Sequence, residues 1–190
     1  KIMKTTGKNQ LLDRLENETR EILLHTNYLL QEDPEKLLQQ PAPGQWSVTQ
    51  VIEHLNTYGR YYLPLLQKAL SKAPVARGDQ YKPGWLGNYF TKMMLPKDGV
   101  VTNRMKAFKN HRPSPGIDSK KALDEFLQQQ QLLLKLLAES RNLDIAAVRI
   151  PISIASYIRL KAGDAFRFMV AHHQRHFVQI GQTLRAVKNG

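Results

Sequence analysis

The sequence contains no cysteine and no long apolar run. The first absence excludes disulfide bonds and catalysis by a protein thiol, and it fits a reducing compartment such as the cytoplasm, where we expect the protein. No uncharged segment approaches the roughly 20 apolar residues that cross a bilayer, and the mean hydropathy is -0.45. Residues 1–4 are not followed by the apolar stretch of a signal peptide. We therefore expect no membrane partner.

Acidic residues are scarce, with 16 Asp and Glu against 28 Lys and Arg, a net charge of +12. The excess is concentrated in residues 68–121, which hold 12 basic and 3 acidic residues. This segment is either a solvated basic loop or a rim that attracts an anionic substrate. Aromatic residues lie among its charges, which keeps nucleic acid open as a less favoured partner: Tyr81, Trp85, Tyr89, Phe90 and Phe108.

The apolar content of 42% suits a single domain over residues 1–190. Spacing of apolar residues predicts four long helices, an all-α four-helix bundle. The first runs over residues 9–31 and ends before Asp33-Pro34, since a residue before proline avoids helical geometry. The second runs over residues 48–70, the third starts after Asp118-Ser119, and the fourth begins near Asp164 as its N-cap.

Ser47 is the expected N-cap of the second helix, with Gln50 as its capping-box partner. Pro64 is expected to kink that helix, because its ring removes one hydrogen bond. Residues 73–118 form a long crossover between the second and third helices, rich in Pro and Gly, with a short helix at 85–95. Residues 150–154 have too irregular a pattern to assign.

Three histidines are the most informative residues of the sequence. His172 and His176 are four residues apart and share one face of the last helix. A third imidazole from His54 on a facing helix would complete a site for a divalent metal with an open coordination position. A carboxylate from Glu53 or Asp164 could equally complete it, and histidines of the core with no metal are the alternative.

The residues around these histidines resemble the DinB-like (YfiT-like) metal-binding superfamily. Residues 46–55 (WSVTQVIEHL), after a Pro-Gly linker, resemble its second helix, and residues 172–180 (HHQRHFVQI) resemble its last helix. The resemblance spans roughly residues 11–185. It implies a four-helix bundle of unusual topology, a homodimer, and a divalent metal bound by His54, His172 and His176 together with water. His173 points about 100° away and is not expected to bind that ion.

The resemblance also implies a metal-dependent enzyme, either a hydrolase or a transferase that uses a low-molecular-weight thiol. The substrate would be a small molecule, anionic or thiol-bearing, and protein as purified would carry zinc or nickel. Six further residues are candidates for supporting or pocket roles: Gln50, Glu53, Tyr58, Tyr61, Gln179 and Thr183. Replacing Lys92, Arg104 and Lys106 together is expected to weaken the binding of an anionic substrate. The alternative function is a non-enzymatic stress-related or nucleic-acid-binding bundle, or a bundle that has lost turnover.

Overall fold

The computed structural model describes residues 5–97, 99–101, 105–114 and 116–188. Four long helices form a bundle, and two shorter helices occur between them in the sequence. In chain order they are α1 (Lys8–Leu29), α2 (Pro34–Leu38), α3 (Val48–Leu70), α4 (Trp85–Met94), α5 (Ser119–Glu139) and α6 (Ala162–Lys188). The predicted all-α bundle is confirmed, as is the crossover between its second and third long helices, α3 and α5. No helix in the described part of the chain is both long and apolar enough to span a bilayer.

Among the described residues, four short strands form two antiparallel pairs. They are β1 (Thr6–Gly7), β2 (Gln80–Tyr81), β3 (Arg149–Ile152) and β4 (Ala155–Lys161). β1 pairs with β2, and β3 pairs with β4 in a hairpin with an irregularity at 151–152. The hairpin includes residues 150–154, which the sequence left unassigned because Pro151 interrupts the alternation of a strand.

Capping residues set several helix boundaries. The Ser47 hydroxyl accepts the backbone N–H of Gln50, whose side chain accepts the N–H of Ser47, so the predicted capping box is confirmed. Asp118 caps α5 in the same way by accepting the N–H of Lys121. The first helix ends before Asp33-Pro34 as predicted, but these two residues also begin α2, which was not predicted: Asp33 caps it and Pro34 occupies its first turn.

The apolar core consists of two clusters stacked along the bundle. One, which we call the hairpin-side cluster, includes Tyr62, Leu66, Leu133 and Phe166. The other, the α2-side cluster, includes Ile22, Ile52, Leu55, Phe126 and Ile180. α3, α5 and α6 pass through both clusters. Polar side chains on α3 and α6 at the junction are therefore buried at mid-height of the bundle.

The crossover is held on the bundle by Asp164, which is 1% exposed. Its Oδ2 accepts the Gly84 N–H at 2.7 Å, and its Oδ1 pairs with Arg167 at 3.0 Å. At Gly87 a Cβ atom would lie 2.3 Å from Cγ of Asp164, so only glycine allows α4 to approach α6 this closely. The prediction of Asp164 as N-cap is wrong, because α6 begins at Ala162 and the carboxylate serves the crossover instead.

Candidate metal centre

Three imidazoles meet where the two core clusters join. Nε2 of His172 lies 3.3 Å from Nε2 of His54 and 3.0 Å from Nε2 of His176. Each of the three histidines offers a nitrogen within 4.8 Å of the others, and all three side chains are buried. α3 contributes His54, and one face of α6 contributes the other two. The structure thus brings together the three histidines that the sequence singled out.

The outer nitrogen of His54 is held by the crossover. Its Nδ1 lies 2.6 Å from the carbonyl oxygen of His111, in a 3-10 turn at Lys109–His111. A carbonyl oxygen only accepts, so Nδ1 donates and carries the proton. In a neutral ring, Nε2 of His54 is therefore left with a lone pair that faces the other two imidazoles.

The outer nitrogen of His176 is held within α6. Its Nδ1 lies 2.8 Å from Oε1 of Gln179, one helical turn further on. Nδ1 again donates, and Nε2 again presents a lone pair to the centre. Partners of this kind, which fix the tautomer and orientation of an imidazole, are typical of histidines that bind metals.

The donor set fits a divalent ion better than it fits a hydrogen-bonded core. Neutral His172 has one ring proton and can satisfy only one of its two Nε2 contacts, because His54 and His176 both present lone pairs. In a tetrahedral zinc site with Zn–N bonds of about 2.0–2.1 Å, neighbouring nitrogens are separated by about 3.3 Å. The observed separations of 3.0 and 3.3 Å are close to this value.

Burial keeps these imidazoles neutral. Desolvation lowers the pKa of His54 to about 4, although the hydrogen bond to the His111 carbonyl opposes the shift. Desolvation also lowers the pKa values of His172 and His176 well below the ordinary value, and the neighbouring imidazoles add to the effect at His172. Neutral imidazole is the form that binds a metal ion.

His173 is separate from this cluster, as expected. Its ring packs edge-on against Phe126 at a centroid distance of 5.4 Å, and it is 1% exposed. Burial lowers the pKa of His173 to about 3. The His172–His173 sequence pair therefore divides between the centre and the α2-side cluster.

A cavity of about 1310 Å³ opens onto the three histidines. It is larger than most small-molecule sites, which measure roughly 300–1,000 Å³. Its walls come from α3, α4, α6, the β3–β4 hairpin, Val101 and the segments 41–46 and 105–113. A metal-bound water or a substrate at this centre would therefore be reached from a defined chamber.

Three of the six predicted supporting residues line this cavity, namely Tyr58, Gln179 and Thr183. The ring of Tyr58 packs against His172 at 4.4 Å and His54 at 5.2 Å between centroids. Burial raises the pKa of Tyr58 above its ordinary value, so its hydroxyl keeps its proton.

The other three predicted supporting residues have partners elsewhere. Gln50 belongs to the capping box of α3. Glu53 binds Arg60, which also binds Glu125. The Tyr61 hydroxyl donates to the Ile152 carbonyl at 3.3 Å and joins α3 to the hairpin. None of the three is among the described residues that line the cavity.

His111 is the residue at this centre that sequence reasoning missed. Besides its carbonyl contact with His54, its ring stacks on Tyr58 at 3.8 Å and its Nδ1 lies 2.9 Å from the Thr57 hydroxyl. A lone histidine in a loop has no helical spacing to reveal it, and the contact with His54 is made by its backbone. The basic segment reaches the centre through this turn.

The three basic residues chosen from the sequence occupy different places. Lys106 lines the cavity, whereas Lys92 is exposed on α4 and is absent from the described lining. Arg104 lies outside the described residues. Arg112 and Arg175 are the other described cations of the cavity wall.

Comparison with known proteins agrees with this fold. YfiT from Bacillus subtilis, described as a probable metal-dependent hydrolase with an unusual four-helix bundle topology, is similar with a TM-score of 0.53 and 15% identity, over 94% of this chain and 86% of that chain. At this identity the likeness shows the fold alone. No curated protein matches. The model of the DinB superfamily matches residues 11–180, and the chain accordingly belongs to the DinB superfamily.

Proposed function

We propose that His54, His172 and His176 bind one divalent metal ion through Nε2 and that the protein is a metal-dependent enzyme. The observation that carries this proposal is the convergence of three Nε2 atoms, two of them left unprotonated by the bonds at Nδ1. Three protein ligands leave a position open for water or substrate, as in catalytic rather than structural zinc sites.

A bound ion of this kind supplies Lewis acidity and lowers the pKa of water towards neutrality. The chain's own residues orient the ligands and limit the access of water. The His111 carbonyl and the Gln179 side chain hold two imidazoles in place. The rings of Trp46 and Tyr58 pack against His54, at 5.0 and 5.2 Å between centroids, and shield it.

The reaction we propose is hydrolysis, or transfer involving a low-molecular-weight thiol, on a small molecule that is anionic or bears a thiol. The description of YfiT as a probable metal-dependent hydrolase supports the first reaction. The cavity supports a small-molecule substrate, and its described lining residues include no carboxylate that would repel an anion. A thiol cosubstrate would be held by the same ion as a thiolate.

Four further statements about this protein stay predictions. We propose a single domain over residues 1–190, a homodimer, a cytoplasmic location, and zinc or nickel as the ion carried after purification. Light scattering on a sizing column measures the second of these directly.

Elemental analysis by mass spectrometry tests the proposal. Protein purified without a nickel column is expected to hold about one ion per chain, and His54→Ala and the His172→Ala/His176→Ala double variant are expected to hold almost none. His173→Ala is the matched control, since this neighbouring buried imidazole is outside the cluster. The proposal would be contradicted by parent protein that stays metal-free after incubation with zinc, nickel, manganese or iron. Metal-loaded protein would then be screened with hydrolase and thiol-transfer assays.

A further inference from the structure

We propose that the substrate is an amphipathic anion whose extended apolar group, an acyl chain or an aryl group, occupies one half of the cavity. This inference rests on the proposed metal-dependent function of the same site. It is carried by the way the cavity wall divides on the two sides of the histidines.

One face of α6 runs the length of the cavity and shows this division. Phe168 lies one turn before His172, about 6 Å along the helix axis, and Thr183 lies about 10 Å beyond His176. The lining before the histidines is apolar, and the lining after them includes the side chains of Gln179, Gln182 and Thr183. The metal ligands therefore stand at the border between an apolar and a polar half.

The apolar half, which we call the aromatic chamber, is built from α3, α4, the β3–β4 hairpin and α6. Its walls include Tyr62, Phe90, Met93, Ile152, Leu160 and Phe168. Phe168 is central to it, with ring centroids 5.8 Å from Tyr62 and 6.5 Å from Phe90, and it stacks on His172 at 5.7 Å. A group bound in the chamber would thus adjoin the ligands directly.

The charged residues of the cavity wall favour an anionic group in the part of the substrate outside the chamber. Lys106, Arg112 and Arg175 line the cavity, and no Asp or Glu does so among the lining residues that the structure describes. An anionic group is therefore favoured in the cavity, while the chamber offers an apolar group a surface of aromatic rings and thioether. The two features together favour a molecule with a charged head and an apolar tail over a small polar anion.

This arrangement places the reacting bond between the two parts of the substrate. The atom that approaches the open metal position would have its apolar substituent in the aromatic chamber. Its polar substituent, which leaves with the nucleophile's proton when water or a thiol attacks that atom, would extend towards Gln182 and Thr183. The carboxylate head of a fatty acid mimics the charged part of such a molecule, so straight-chain carboxylates are suitable probes.

Calorimetric titration with straight-chain carboxylates from butanoate to decanoate tests the inference on zinc-loaded protein. Affinity is expected to rise about fourfold for each added methylene until the chamber is filled. Met93→Asn is expected to lower the affinity for decanoate at least tenfold while changing the affinity for butanoate by less than twofold. Leu95→Asn is the matched control, because Leu95 follows α4, is 40% exposed and is not among the described lining residues.

The outcomes separate this inference from the proposed function. Affinity that does not depend on chain length, in protein that holds one zinc per chain, would overturn the amphipathic substrate and leave the metal centre standing. Equal weakening by Met93→Asn and Leu95→Asn would also overturn it. If the parent binds no metal yet shows the chain-length dependence and its loss in Met93→Asn, the chamber stands and the proposed function fails.

Discussion

The carbonyl oxygen of His111 accepts a hydrogen bond from Nδ1 of His54 at 2.6 Å, across 57 residues of sequence. The long crossover is thereby joined to a candidate metal ligand by its backbone. The geometry of the centre therefore depends on where the turn at Lys109–His111 lies, as well as on the packing of α3 and α6.

Replacing the side chain of His111 is expected to weaken metal binding. His111→Ala keeps the carbonyl but removes the ring that stacks on Tyr58 and bonds Thr57, so the turn loses its fixed position. Loss of support for a ligand typically costs 10–100-fold in metal affinity, and we expect about tenfold here. Competition with a chromophoric chelator measures it. His25→Ala, an exposed histidine on α1, should leave affinity unchanged, and equal effects of the two variants would contradict the prediction.

Gln179 is expected to strengthen metal binding through its hydrogen bond with His176. Gln179→Leu removes the acceptor that fixes the tautomer of this ring, and affinity for the ion should fall 10–100-fold while one ion per chain still binds at saturation. Gln182→Leu is the matched control, because this amide lines the same cavity and has no bond to an imidazole among the described contacts. The same chelator competition measures the affinity. An unchanged affinity in Gln179→Leu would show that the bond from His176 to Gln179 does not affect metal binding.

Removal of the ion is expected to lower thermal stability. An ion that binds only the folded chain, at 100 times its Kd, stabilises it by about 2.7 kcal/mol. For a chain of this size that corresponds to a rise in Tm of roughly 5–10 °C. Calorimetric scans of chelated and reloaded protein measure the shift. The His172→Ala/His176→Ala variant should show no shift on adding metal, and a shift equal to that of the parent would place the ion elsewhere.

Asp164 is expected to be a major contributor to the stability of the cavity wall. Asp164→Asn replaces a buried carboxylate that holds both Arg167 and the Gly84 N–H, and should lower the free energy of unfolding by about 3 kcal/mol. Asp13→Asn is the control, since Asp13 pairs with Arg141 at the surface and its loss should cost less than about 1 kcal/mol. Urea unfolding compares them, and equal costs would mean that the crossover is held by other contacts.

The long helices could be predicted because their signals are local. Apolar spacing and capping residues such as Ser47 and Asp118 act within a few residues, and both caps are present in the structure. The β3–β4 hairpin was missed because its strands are short and irregular, and α2 because a proline that ends one helix also begins another. Asp164 was misassigned because its partner, Gly84, is 80 residues away.

The histidine cluster was predicted partly from spacing and partly from resemblance. Spacing of four residues placed His172 and His176 on one face, but only the resemblance favoured His54 over Glu53 or Asp164 as the third ligand. Two features of this site could not be predicted from local sequence patterns. His111 contributes a carbonyl, which every residue possesses, and the division of the cavity into two halves depends on how α4 and the hairpin fold back onto α6.

The distance along the chain between the ligands has a consequence of its own. His54 and His172 are 118 residues apart, and a metal ion held by both would close a loop of that length in a chain with no cysteine. Because the ion binds only the folded chain, this loop can open on unfolding only when the ion leaves, and the binding free energy of the ion is lost in the same step. A divalent ion would then act here as a removable cross-link between α3 and α6, made without oxidation and broken by a chelator.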